Sequence, residues 1–249
     1  MENGSSVNTA RSVAPLRNVA LFSELIQKIA TRESGLPGLG CFYGPSGYGK
    51  SFAAIYATNR YRCYYVQCRS VWTKKDLPLA VLRDMGIRPE GRIADMVAQI
   101  GAQLHLSKRP LIIDEADFLV EKRLIEVVRD IYEDCFGTVV LIGEELLPQK
   151  IRPFERVHGR VLAWEGAQPA ALSDSKHLTV LRCPGIEVAE DLLTALHEAS
   201  AGSVRRVCVN LDRVKEAALG QDLSRIGLKE WKDLKLDFYT GAAPARRTA

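Results

Sequence analysis

The sequence has little that would build a metal centre. Its four histidines, His105, His158, His177 and His197, fall in no ligand spacing. Its six cysteines (Cys41, Cys63, Cys68, Cys135, Cys183 and Cys208) include no Cys-x-x-Cys pair. That excludes zinc-finger and thioredoxin-like patterns, and scattered cysteines of this kind read as reduced, buried thiols. Long apolar runs are missing too. No stretch approaches the ~18 consecutive apolar residues of a membrane span, and the amino terminus lacks the apolar segment of a secretory signal. The expectation is a soluble cytoplasmic protein with no membrane partner. No Ser/His/Asp or Cys/His constellation stands out, and three Met and three Trp are too few for a cofactor box. Nor does one charge sign dominate: 34 Lys+Arg face 30 Asp+Glu, a formal net charge of +4. This excludes a grossly cationic, histone-like protein but leaves room for a local basic stripe. What is present is ordinary globular composition, 47% hydrophobic over 249 residues, enough for one large domain or one domain with an appendage.

Strand and helix signals alternate along the chain. Apolar residues at Leu21, Phe22, Leu25, Ile26 and Ile29 have helical spacing, and the stretch Gly35-Leu36-Pro37-Gly38 breaks that helix. Strands are expected at 39–43, 62–68, 110–114, 138–143 and 160–164. Helices are expected at about 50–59, 76–85, 92–105 and 118–134. Strands that are apolar on both faces and separated by helices point to a parallel sheet covered on both sides. Beyond Gly166 short helices take over, the clearest at 187–200 and 203–219. The reading is therefore an α/β domain at 18–167 followed by a small helical domain at 168–240. The polar residues 1–17 and the small, basic residues 241–249 are expected to be disordered tails.

Gly44-Pro45-Ser46-Gly47-Tyr48-Gly49-Lys50-Ser51 fits G-x-x-x-x-G-K-[ST], between an expected strand and an expected helix, which is the context that motif requires. Gly44, Gly47 and Gly49 permit backbone angles that turn successive N–H groups toward a phosphate, and the helix amino terminus adds partial positive charge. Lys50 would reach the β- and γ-phosphates of ATP, and Ser51 would place its hydroxyl on Mg²⁺. Leu111-Ile112-Ile113-Asp114-Glu115 supplies the acidic pair that such a site needs at the end of another strand. Asp114 would hold Mg²⁺ through water and Glu115 would orient or deprotonate the attacking water. The alternative is that Asp114, Glu115 and Asp117 cap the following helix.

Pro-Leu-Ile-Ile-Asp-Glu-Ala-Asp lies about sixty residues after Lys50. With the strand behind it and the helical segment beyond, it resembles the AAA+ ATPases over about residues 20–215. Within them the chain looks most like the DNA-transposition ATPases, the target-selecting B proteins of Mu-like transposing phages and their relatives among transposon regulators. GLPGLGCFYGPSGYGKS, and IIDEADFL followed by VVLIGEELL, carry that likeness. The resemblance implies a P-loop AAA+ sheet with a helical lid, ATP and Mg²⁺ as cofactors, and ATP hydrolysis. It also implies assembly of the chain with itself as a filament or ring on double-stranded DNA, and a transposase partner in a bacterial host cell. By the same resemblance, Arg156 is the first choice for an arginine finger acting in a neighbouring subunit, with Arg152 and Arg160 behind it. Arg205, in Gly202-Ser203-Val204-Arg205-Arg206, matches the opening of the sensor-2 helix. Where a polar sensor residue is usual, the chain has Gly143-Glu144-Glu145, so Glu144 is either that sensor or a helix cap.

Residues 59–75 carry Arg60, Arg62, Arg69, Lys74 and Lys75 with no acid, interleaved with Tyr61, Tyr64, Tyr65 and Trp72. Such a stripe would contact DNA phosphates without reading sequence, unless it is a solvated run with Tyr64 and Tyr65 in the core. The resemblance places DNA contacts after the second strand and at the start of the helix after the acidic motif, here Arg69, Lys74 and Lys75 together with Lys122 and Arg123. Two further readings remain open: a helicase loader or replication initiator of the same superfamily, and a remodelling or secretion-linked ATPase with no nucleic-acid role.

Overall fold

The structure, a computed structural model, describes residues 16–241. They form two compact units, one of residues 18–168 and one of residue 169 onward with residues 16 and 17. Along the chain the first unit runs α1 (Arg17–Ala30), β1 (Leu39–Tyr43), α2 (Lys50–Tyr61), β2 (Tyr64–Gln67), α3 (Asp76–Asp84), α4 (Ile93–Ser107) and β3 (Leu111–Asp114). It continues with α5 (Asp117–Glu121), α6 (Glu126–Cys135), β4 (Val139–Gly143), α7 (Leu147–Ile151), α8 (Glu155–His158) and β5 (Val161–Gly166). The five strands make one sheet in the order β2-β3-β4-β1-β5, and every pairing is parallel. Leu111, Ile112, Ile113, Val139, Val140, Leu141 and Ile142 are all fully buried, as a sheet covered on both faces requires.

Each covering helix offers an apolar stripe. α1 buries Val19, Phe22, Leu25, Ile26 and Ile29, a spacing of three and four that puts them on one face. Phe22 meets Phe42 of β1 with ring centroids 5.1 Å apart. α2 instead buries Ala53, Ala54 and Ala57, and such small side chains bring the helix that follows the glycine-rich loop close to its neighbours.

The second unit contains α9 (Leu172–Arg182), β6 (Glu187–Val188), α10 (Glu190–Ser200), α11 (Val204–Gly220), β7 (Arg225–Ile226) and α12 (Leu228–Asp233). Its core includes Leu178, Leu192, Leu196, Val207, Leu211, Val214, Ile226 and Trp231. Buried Asn210 donates to Ser200 Oγ (3.1 Å) and to the Tyr239 carbonyl (3.1 Å), and accepts from the Tyr239 N–H (2.7 Å). These bonds fix the chain as far as residue 239.

Several elements depart from the sequence reading. The helix expected over 118–134 is two helices, α5 and α6. Arg123 takes a left-handed φ of 56° and the Leu124 N–H reaches back to the Leu119 carbonyl (2.7 Å), a closure that ends a helix. The helix expected to begin at 187 begins at Glu190, because Glu187 and Val188 pair in parallel with Arg225 and Ile226. The tails expected at 1–17 and 241–249 lie outside the described residues except for three positions. Of these, Leu16 is buried and Arg17 opens α1. Among the described residues no helix is long and apolar enough to cross a membrane.

Phe22 has no exposed surface, so Phe22→Ala leaves a cavity between α1 and β1. The expected loss is about 3–5 kcal/mol, read as a lower denaturant midpoint with an unchanged slope.

Candidate functional site

Strand order assembles the site. β3, β4 and β1 are neighbours, so their carboxyl ends bring residues 114–117, 143–144 and 44–51 to one edge, where open parallel sheets bind ligands. Gly47 and Gly49 have φ of 87° and 85°, left-handed values that glycine adopts without steric cost. α2 begins at Lys50 with no side chain capping its first turn. Its leading N–H groups and dipole therefore suit a phosphate. Lys50 Nζ donates to the carbonyls of Gly44 (2.6 Å) and Pro45 (2.9 Å), which folds the ammonium over the loop. Asn18, buried near the start of α1, donates to the carbonyls of Tyr48 (2.8 Å) and Gln168 (2.7 Å) and accepts from the Gln168 N–H (2.8 Å). It anchors the loop from a segment thirty residues away. Sequence reasoning missed it; its one signal was an amide preceding an amphipathic run.

Asp114 is buried at the end of β3. One carboxylate oxygen accepts from the Glu115 N–H (2.8 Å) and the other from the Tyr65 hydroxyl (2.9 Å). Tyr65, read as a stripe or core residue, thus orients the acid. Glu115 takes φ of 55°, a left-handed conformation uncommon in any residue but glycine and found where a site dictates the backbone. Burial, and then the charge of Asp114, hold the Glu115 carboxyl above the usual range, with Lys50 opposing. Burial also lowers Lys50, against the charges of Glu115, Asp114, Glu144 and Asp117. The chemistry available is a cationic phosphate cradle facing a carboxyl that can take a proton.

Asp117 is buried in the first turn of α5, which has no side-chain cap, and its oxygens go to other elements. Its Oδ2 accepts from the Glu144 N–H (2.7 Å) and its Oδ1 from Lys150 Nζ (2.8 Å). Lys150 also donates to Glu121 Oε1 (2.9 Å). Nothing in the sequence marked Lys150.

Residues 33–151 match the family model described as an AAA domain. The fold is that of the P-loop AAA+ proteins. The Orc1 protein of Aeropyrum pernix, solved in complex with DNA, is similar with a TM-score of 0.65 at 17% identity, over 88% of this chain and 63% of its own. Cdc6p from Pyrobaculum aerophilum is similar with a TM-score of 0.59 at 16% identity, over 84% of this chain and 62% of its own. The chain therefore spans less than two thirds of either protein. No curated protein sequence matches it. These likenesses carry the AAA+ fold, and the transposition branch rests on the motif strings alone.

The remaining candidate residues are spread wider. Arg156 on α8 and Arg152 after α7 are exposed, and neither makes an ion pair among the described residues, whereas Arg160 donates to Glu133 Oε1 (2.7 Å). Arg205 stands exposed in the first turn of α11, in the second unit. Arg69, Lys74, Lys75, Lys122 and Arg123 are all exposed. Lys122 Nζ donates to the Trp72 carbonyl (3.0 Å), which brings the two basic segments of the sequence reading side by side. Tyr64 belongs to the core instead, with the Arg109 guanidinium 3.8 Å over its ring. On α6, Arg129 lies against Glu126, Asp130 and Glu133.

A carboxyl raised by folding binds its proton more tightly in the native state, so stability falls as pH rises through the ordinary glutamate value of about 4.3 toward the native one. Glu115→Gln removes that penalty. At pH 7 and without nucleotide the variant is expected to melt above the wild type, and the difference is expected to vanish below about pH 4.

Proposed function

We propose that this chain is an ATP-hydrolysing AAA+ protein that assembles on double-stranded DNA and delivers that DNA to a transposase, stimulating it. The observation that carries the ATPase part is the meeting of Lys50, Asp114 and Glu115 at one sheet edge, where Lys50 and Glu115 each feel the charges of the other two. The backbone of Gly44, Pro45, Ser46, Gly47, Tyr48 and Gly49 is the cradle for the polyphosphate. Lys50 exchanges the Gly44 and Pro45 carbonyls for phosphate oxygens. The Ser51 hydroxyl and, through water, Asp114 are the residues that would hold Mg²⁺. Bound MgATP supplies the anhydride bond to be broken and the metal charge that stabilises the leaving phosphates. Glu115 orients the attacking water and takes its proton. Arg156 completes the site of a neighbouring copy, and Arg205 reads nucleotide state from the helical lid, so bound ATP favours assembly and hydrolysis favours release.

For DNA, support comes from the exposed cations of 69–75 held beside Lys122 and Arg123 by the Lys122–Trp72 bond. Those of 69–75 follow β2, whose last residue Gln67 lies opposite Asp114, so the group flanks the catalytic edge, and it suits a backbone contact whose strength falls with salt. For the transposase, support comes from the motif strings and lies in the bacterial host cytoplasm where such systems act. A second reading, a replication initiator or helicase loader, is favoured by the likeness to an Orc1 protein solved with DNA. The two separate by substrate: the first favours duplex DNA with no helicase present, the second single strands or a helicase. An ATPase rate indifferent to any DNA would remove both.

Lys50→Ala is expected to abolish ATP-dependent assembly in sedimentation with duplex DNA, and undiminished assembly would remove the phosphate loop from its role. Glu115→Gln is expected to bind ATP, turn it over at least about 100-fold more slowly and remain on DNA longer. Wild-type turnover would take Glu115 out of catalysis.

A further inference from the structure

β4 lies between β3, which ends in Asp114, and β1, which runs into the phosphate loop. Glu144, the first residue after β4, therefore emerges between the acidic pair and the cradle, and its charge acts on both Lys50 and Glu115. A carboxylate there repels a triphosphate. The chain answers with Lys150, one short turn onward in α7. Its ammonium lies 3.9 Å from Glu144 Oε2, 2.8 Å from Asp117 Oδ1 and 2.9 Å from Glu121 Oε1. Asp117 in turn holds the Glu144 N–H. A side chain at Gly143 would run into that carboxylate and into Leu147, so the strand exit has one arrangement. Hydrogen bonds to Asp117 and Glu121 hold the lysine above its ordinary value, so it stays cationic throughout the neutral range.

We propose that Lys150 is a positioning residue for ATP recognition: shared among Asp117, Glu121 and Glu144, it offsets part of the negative charge at the exit of β4 and, through Asp117, fixes the β4–α7 loop beside the phosphate loop. This rests on the nucleotide reading above and adds a selectivity to it. Lys150 lowers the negative charge that a bound triphosphate would meet at this edge, so its loss penalises ATP and spares ADP. The expected size follows from one added negative charge in a partly solvated site, about a tenfold change in affinity.

The test is titration of the full chain with fluorescent ATP and ADP analogues in the presence of Mg²⁺. Lys150→Met is expected to weaken ATP about tenfold and leave ADP unchanged, and adding Glu144→Gln to that variant is expected to restore ATP. Lys150→Arg keeps the charge and is expected to bind as wild type. Asp117→Asn in the Lys150→Met background relieves the unpaired buried acid, so it is expected to recover melting temperature without recovering ATP selectivity. Equal weakening of ATP and ADP, or failure of Glu144→Gln to restore ATP, overturns the proposal. Wild-type protein that binds neither nucleotide would instead overturn the nucleotide reading itself.

Discussion

Parallel pairing of β1 with β4, and of β4 with β3, is the constraint on which the site depends. In a parallel sheet every strand points the same way, so the residues after Tyr43, Asp114 and Gly143 must emerge along one edge. Close packing on both faces holds the register: Leu111, Ile113, Val139 and Leu141 have no exposed surface, and a slip of one residue would take each out of the packing it makes on its own face. The hydrophobic effect, acting on strands far from any polar chemistry, thereby sets Lys50, Asp114 and Glu144 within electrostatic reach of one another.

Charge at that edge is arranged by coupling rather than by simple pairing. Burial penalises Lys50 and Glu115 alike, and each relieves the other. Asp114 spends both oxygens on the Glu115 N–H and the Tyr65 hydroxyl, which aims the acid and steadies the left-handed turn at Glu115. Asp117 does the same work one step along, binding the exit of β4 and Lys150 together. Two buried aspartates three residues apart thus hold two loops, and the same short segment passes through α5 to the basic break at Lys122 and Arg123.

The parts legible in the sequence were those with a period or a motif. Apolar strands, the amphipathic face of α1 and the loop 44–51 each have a local signature, and the structure has the parallel sheet and the loop where those signatures put them. What could not be read depended on contacts across the fold. Asn18 reaches Tyr48, Tyr65 reaches Asp114 and Lys150 reaches Asp117, over sequence separations of 30, 49 and 33 residues, and no local pattern encodes such a meeting. The break between α5 and α6 was hidden for a different reason. Val120, Leu124, Val127, Val128 and Ile131 keep helical spacing across it, while the turn itself is made by arginine in a conformation more often given to glycine. The pairing of β6 with β7 involves two residues on each side, too few for any periodicity.

The central claim is that nucleotide at this sheet edge governs assembly on duplex DNA. Electron microscopy of the protein with linear duplex DNA tests it most directly, with ATP, with ADP and with no nucleotide. The account predicts continuous filaments or stacked rings on the DNA with ATP and bare DNA in the other two conditions. Decoration that is the same in all three, or DNA left bare with ATP while the protein hydrolyses it, would contradict it.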